Sequence, residues 1–138
     1  MVETKYGKHL YKHPIESLGK LSSGMDRTYV GFERKKDFDS NMTVIYLYAR
    51  EPDPPVETHT HDYDEYLSFI GLDPDDPGYL GAECPILLGE EQEEHVFSTP
   101  TTIYIPKGLP HGYPPMRRFD KPFLIVHMFL TPNRPKIT

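Results

Sequence analysis

Apolar and polar positions alternate along this chain in short runs that a β-strand accommodates and a helix does not. The densest run, Val44-Ile-Tyr-Leu-Tyr48, lies in a predicted strand over Met42–Arg50, which Pro52, Pro54 and Pro55 bring to an end. Further strands are predicted at Arg27–Phe32, Val56–His61, Glu65–Ile70, Cys84–Leu88, His95–Ser98, Thr101–Ile105 and Pro122–Leu130. Val56–His61 and Glu65–Ile70 read as a pair or as one bent strand. Asp73-Pro-Asp-Asp-Pro-Gly78 is a turn cluster, and Gly89–Glu94 reads as the exposed end of a hairpin. No segment holds a 3.6-residue apolar period for three turns. Short strands at regular spacing imply an all-β antiparallel sandwich or barrel. Residues 1–26 are mostly polar and read as an N-terminal arm, packed outside the barrel or on a second subunit. Residues 27–138 form a single barrel domain, with no internal repeat.

Composition narrows the class. With 138 residues the chain can bury one genuine core, and 15 prolines with 10 glycines favour many turns over a helical bundle. The net charge of −6 and the lack of a Lys/Arg stripe argue against a nucleic-acid partner. Arg34–Lys36 and Arg117–Arg118 are short basic spots with acidic residues nearby, read as solvated surface. No apolar run approaches a membrane span, and no signal peptide is evident, so a membrane is not expected as a partner. The single cysteine, Cys84, cannot form an intramolecular disulfide and reads as a buried structural thiol. These features predict a reducing, cytoplasmic setting. Asn41-Met42-Thr43 matches the glycosylation sequon, by chance in such a setting.

The chemistry concentrates in Glu57-Thr-His-Thr-His-Asp-Tyr-Asp-Glu65 and in Pro106-Lys-Gly-Leu-Pro-His111. His59, His61 and Glu65 share odd parity with apolar Leu67 and Phe69. One strand face would then begin with ligand-type residues and end in core. Thr58, Thr60, Asp62 and Asp64 fall on the other face, and Asp64 is the less favoured ligand. Two prolines restrict the segment before His111 and give its imidazole a direction. Three imidazoles and one carboxylate can make most of the ligand set of a divalent transition metal. A lone His-x-His is often only surface; the added carboxylate and second segment favour the metal.

His59-x-His61-x3-Glu65, followed by a strand to Gly71, resembles the first motif of the cupin family, and Pro106-x-Gly108-x2-His111 resembles the second. The resemblance spans roughly residues 42–130. It implies a jelly-roll β-barrel of cupin type in which His59, His61, Glu65 and His111 converge on Fe, Mn, Ni or Zn. It also implies a homodimer, as small cupins commonly pair and the arm could cross over. The chain departs from the family pattern at three places: Asp53 and Pro100 stand where a glycine usually opens each motif, and Pro115 stands where an asparagine often ends the second. The stretch between the motifs is long, mainly through Leu72–Glu83.

Beyond the ligands, Tyr46, Tyr48, Tyr63, Tyr113 and His127 are candidate catalytic or substrate-contacting residues, each with a packing role as the alternative. Arg50 and Lys107 are the basic residues expected nearest the mouth, while His95, His9 and His13 need no role. The expected function is a metal-dependent enzyme on a small anionic or chelating molecule, by dioxygenase-like or Lewis-acid isomerase or lyase chemistry. The alternatives are a non-catalytic module that binds a metabolite or metal, and a domain whose metal only stiffens the barrel.

Overall fold

The computed structural model of the chain describes residues 4–13, 15–20, 26–32, 41–52 and 55–131. Asp53 and Arg34–Lys36 lie outside the described residues. One 3-10 turn, Gly7–His9, precedes the strands β1 (Ile15–Lys20), β2 (Asp26–Phe32), β3 (Thr43–Ala49), β4 (Val56–His59) and β5 (Glu65–Gly71). They are followed by β6 (Ala82–Leu88), β7 (Glu93–Phe97), β8 (Thr101–Ile105), β9 (His111–Tyr113), β10 (Arg118–Phe119) and β11 (Phe123–Phe129). No helix among the described residues is long and apolar enough to cross a membrane.

All strand pairings among the described residues are antiparallel. One sheet runs β1-β2-β3-β11-β5-β8; the other runs β10-β6-β9-β4, with β7 also paired to β6. Strand alternation decides what each sheet buries. In β3, Ile45, Leu47 and Ala49 are buried while Tyr46 and Tyr48 face outward. Leu67 and Phe69 of β5, Ile103 and Ile105 of β8, and Phe123 and Ile125 of β11 extend the same inner face. Ala82, Cys84 and Ile86 of β6 meet them from the opposite sheet. Full burial of each large apolar side chain contributes about 1.5–3 kcal/mol.

The long segment after β5 closes the far end of this core. Leu80 within it is fully buried and belongs to the same core cluster as Phe123 and Ala49. Asp73 Oδ1 accepts from the Asp75 amide at 2.9 Å, and Lys121 Nζ donates to Asp73 Oδ2 at 2.9 Å, which pins the turn down. Gly81 turns at φ 103°, where a side chain would be strained and its Cβ would stand 2.9 Å from the Lys121 carbonyl.

Three strands differ from the sequence expectation. β1 falls inside the stretch predicted to be a polar arm; it pairs with β2 at the sheet edge, where a strand needs a partner on one side only. β9 and β10 have three and two residues, too few to show a periodicity. Val56–His61 and Glu65–Ile70 are not one bent strand: β4 and β5 belong to different sheets, and the turn between them crosses from one to the other.

Candidate metal centre

That crossing decides how the site is built. Parity cannot carry a face through a turn; the ligand segments come together because β4 pairs with β9 in one sheet while β5 lies in the other. His59 ends β4 and stands directly opposite His111, the first residue of β9. His111 therefore sits on a strand rather than in the proline-flanked loop. His61 lies in the turn, and Glu65 begins β5 on its inner face, in line with Leu67 and Phe69.

The turn is fastened to the second motif by backbone. The Gly108 amide donates to the His61 carbonyl at 3.0 Å, and the Lys107 amide donates to Asp64 Oδ1 at 2.8 Å. The Leu130 amide donates to the Asp64 carbonyl at 2.9 Å, tying the same turn to the end of β11. Gly108 adopts φ 81°, the left-handed conformation that glycine takes without strain. Asp64 is thus a brace between the two ligand segments. Its sequence context gave no sign of this, because the partner is a backbone amide 43 residues away.

The imidazoles of His59, His61 and His111 each offer a ligand atom within 4.8 Å of the others, a grouping that can hold a metal ion. Their ring centroids lie 4.3–5.0 Å apart. His59 Nδ1–H donates to the Glu57 carbonyl at 2.8 Å, and His111 Nδ1–H donates to the Leu109 carbonyl at 2.9 Å. A carbonyl only accepts, so both rings carry the proton on Nδ1 and present a bare Nε2 lone pair.

Glu65 faces this cluster. Its Oε2 stands 3.7 Å from His61 Nε2 and 3.8 Å from His111 Nε2, too far for a hydrogen bond. Glu65 Oε2 and His111 Nε2 are both buried and have no hydrogen-bond partner among the described residues. A buried polar atom left unpaired costs about 1–3 kcal/mol, more if charged. Two ligands bound at ~2.1 Å to one cation stand roughly 3.0–3.4 Å apart, so small side-chain shifts bring these atoms into a common sphere. The donor set fits a divalent metal.

Electrostatics agree with the tautomers. Burial holds the His61 and His111 pKa values below the ordinary imidazole range, more strongly than the nearby Glu65 raises them. Both rings are therefore kept neutral, as metal ligands must be. Burial, and then the Glu65 carboxylate, push the Tyr63 phenol up to about 12 and the Tyr113 phenol higher still. Each remains a hydroxyl donor.

Of the remaining candidates, Tyr63, Tyr113 and His127 lie at the site. Tyr63 stacks on His61 at 4.9 Å and 12°, and its hydroxyl is buried with no hydrogen-bond partner among the described residues. Tyr113 stands edge-on to His111 at 6.2 Å. His127 Nδ1 lies 3.7 Å from Glu65 Oε1. Phe129, which the sequence did not single out, joins them as a wall: it packs at 5.6 Å against both Tyr63 and His127. Its alternation with His127 in β11 was the available signal.

Tyr46 and Tyr48 do not line the pocket. They alternate with buried Ile45 and Leu47, so their rings lie on the outer face of the sheet, and the Tyr46 hydroxyl meets His13 Nδ1 at 2.7 Å. Arg50 follows β3 at the closed end of the barrel, because Ala49 pairs with Phe123 while Glu65 pairs with Phe129. Lys107 is close to the mouth, but its ammonium is exposed and pairs with Asp62 at 3.0 Å. His95 is on the surface, bonded to Glu93 at 2.6 Å.

No protein-family model matches the chain, and no curated protein matches it in sequence. Solved structures do match in fold. An RmlC-like cupin from Shewanella frigidimarina superposes with a TM-score of 0.53 at 14% identity, over 97% of this chain and 94% of that one. The polyketide cyclase RemF from Streptomyces resistomycificus gives 0.54 at 14% identity, over 80% and 68%. Fe(II) HppE gives 0.53 at 14% identity, over 94% of this chain and 59% of that one. Two facing antiparallel sheets, shared in architecture with these structures, give this chain a jelly-roll barrel fold of the cupin type.

Proposed function

We propose that this protein is a metal-dependent enzyme acting on a small anionic or chelating organic molecule. His59, His61 and His111 hold a divalent cation through nitrogen, and Glu65 adds a carboxylate oxygen. The reading is carried by one observation: Glu65 Oε2 and His111 Nε2 are buried and unpartnered 3.8 Å apart, which a cation between them would resolve. Three neutral imidazoles and one carboxylate leave a divalent centre with a net charge of about +1, which favours an anionic ligand. The fold supports the reading, since it is shared with an Fe(II) form of HppE and with a polyketide cyclase. Fe, Mn, Ni and Zn all suit this donor set.

When bound, such a cation polarises a ligand oxygen or supports oxygen chemistry. The chain's own residues do the rest. The Glu57 and Leu109 carbonyls aim two of the imidazoles. Tyr63 and Tyr113, kept protonated, offer hydroxyl donors to a substrate oxygen beside Glu65. Phe129 and the stacked Tyr63 exclude water on one side. The single cysteine, buried in the core, supports a cytoplasmic setting, where no disulfide is required.

The test is metal analysis of protein purified without oxygen, followed by oxygen uptake with small organic acids. His61→Ala and His111→Ala are expected to lose most of the bound metal. Unchanged metal stoichiometry in both variants would remove the assignment; a redox-inert metal with no oxygen consumption would leave isomerase or lyase chemistry and discard the oxygenase branch.

A further inference from the structure

His127 is a polar side chain set in an apolar row, and it is not one of the proposed metal ligands. Its strand, β11, lies between β3 and β5. Across the sheet it pairs with Ile45 on one side and Leu67 on the other, each 1% exposed. Along β11 its neighbours on the same face are Ile125 and Phe129, both buried. Its side chain is 19% exposed. Leucine would suit such a place; an imidazole there gives up much of its hydration and needs a polar partner in return. The Phe129 ring, nearly parallel at 25° and 5.6 Å away, supplies packing only.

The polar group that His127 approaches is Glu65. Leu67 stands directly opposite His127, so Glu65, two residues before it on the same face of β5, is the diagonal neighbour. Diagonal neighbours lie about 7–8 Å apart, which long side chains span. The two carboxylate oxygens face different ways. Oε2 makes the close approaches to His61 Nε2 and His111 Nε2, at 3.7 and 3.8 Å, while Oε1 makes the approach to His127 Nδ1, at 3.7 Å. We infer that His127 is the positioning residue for Glu65: its Nδ1–H holds Oε1, so that Oε2 is aimed at the three imidazoles. The inference rests on the metal-centre reading above and adds to it a residue that acts on the cation through a ligand.

The chemistry of the pair sets its direction. An ionised carboxylate only accepts, so the ring must present Nδ1–H to it. At 3.7 Å the contact is open. A shift of about 0.8 Å brings it to the ~2.9 Å of a hydrogen bond, a slack similar to that between Oε2 and the imidazoles. A hydrogen bond to an ionised oxygen is roughly twice as strong as one between neutral groups. A carboxylate binds a cation through one oxygen or through both. With Oε1 engaged by His127, Oε2 alone is left for the cation. Groups that orient a ligand in this way are typically worth about 10–100-fold in metal affinity.

Two variants of similar size separate this role from packing. In His127→Asn the amide nitrogen falls where Nδ1 stands and can donate; in His127→Leu a methyl group stands there. Zn(II) is the probe, with affinity read on the full chain by competition with a chromophoric chelator, beside urea unfolding in excess chelator. His127→Leu is expected to lose roughly tenfold or more in Zn(II) affinity, and His127→Asn to recover most of that loss. Metal-free stability should rank the other way, leucine above asparagine, because the row is apolar. A packing role would rank the two variants alike in both measurements. Equal Zn(II) affinity of wild type and His127→Leu overturns the inference, as does an equal loss in both variants. If His127→Asn does not fold, the comparison of His127→Leu with wild type decides. A wild-type chain that binds no Zn(II) removes the metal centre and this inference together; a wild type that binds it, with His127→Leu its equal, removes only the role of His127.

Discussion

Glu65 Oε2 and His111 Nε2 stand 3.8 Å apart in the barrel interior, and neither has a hydrogen-bond partner among the described residues. Glu65 is only 2% exposed, so the metal-free protein holds a carboxylate where water cannot solvate it well. Replacing such a group by an apolar one of similar volume removes the cost of burying it. Glu65→Leu is therefore expected to stabilise the metal-free protein by about 1–3 kcal/mol while lowering metal affinity at least tenfold. Urea unfolding in chelator, beside metal titration of both proteins, reads the two effects separately. A variant less stable than wild type in chelator would mean that Glu65 has a structural partner after all.

The neutral state of His61 and His111 has a pH signature. Burial lowers both pKa values below the ordinary 6.5. Above 6.5 the folded and unfolded chains both hold these rings neutral, and their contribution to stability is complete. As pH falls below 6.5 the unfolded chain takes up protons that the folded chain refuses, so stability declines until the lower folded-state values are passed. Metal-free protein should lose stability from about pH 6.5 downward, and His111→Gln should flatten that slope. Thermal unfolding in chelator across the window checks both.

Much of the architecture was legible because alternation survives in strands that bury one face. Ile45, Leu47 and Ala49 against Tyr46 and Tyr48 is such a pattern, and it belongs to a strand paired on both sides. The ligand residues were legible as residue types, since few other roles gather three imidazoles and a carboxylate. Orientation was less so. Parity grouped His59 with Glu65 although a turn and a change of sheet separate them, and it left open which side of β3 faced the cavity. Knowing that Ile45 and Leu47 are core settles that side and removes Tyr46 and Tyr48 from the site. The Asp64 brace and the carbonyls of Glu57 and Leu109 act through backbone groups, which no residue type announces.

Gly112 links the fold to the site more directly than either motif. It follows His111 on β9, and a Cβ there would stand 3.1 Å from the Thr58 amide nitrogen and 2.9 Å from Thr58 Oγ1. Thr58 precedes His59 on β4, so any relief moves one ligand away from the other. Gly112→Ala is expected to cost about 1–3 kcal/mol of stability, the usual range for overpacking. Its larger effect should be on metal affinity, because ligand positions tolerate only about 0.5 Å of error. Metal titration and urea unfolding of the variant compare the two; a loss of stability with metal affinity unchanged would show that β4 yields without moving His59.

Tyr63→Phe separates a donor from a packing group. The ring stacks on His61 and meets Phe129 edge-on, contacts that phenylalanine keeps. The hydroxyl is buried without a partner, and a pKa of about 12 keeps it protonated over the physiological range. An unpaired buried hydroxyl contributes nothing to the metal-free fold, so Tyr63→Phe should leave its stability unchanged or slightly raised. Metal stoichiometry should also be unchanged, because the hydroxyl is not among the proposed ligands. What should fall is the affinity of the metal-loaded protein for a small oxyanion. Oxalate serves as the probe, and one hydrogen bond of about 1–1.5 kcal/mol corresponds to roughly a tenfold loss. Calorimetric titration of oxalate into wild type and variant makes the comparison. Equal affinities would assign Tyr63 to packing alone, and leave Tyr113 as the hydroxyl donor at this centre.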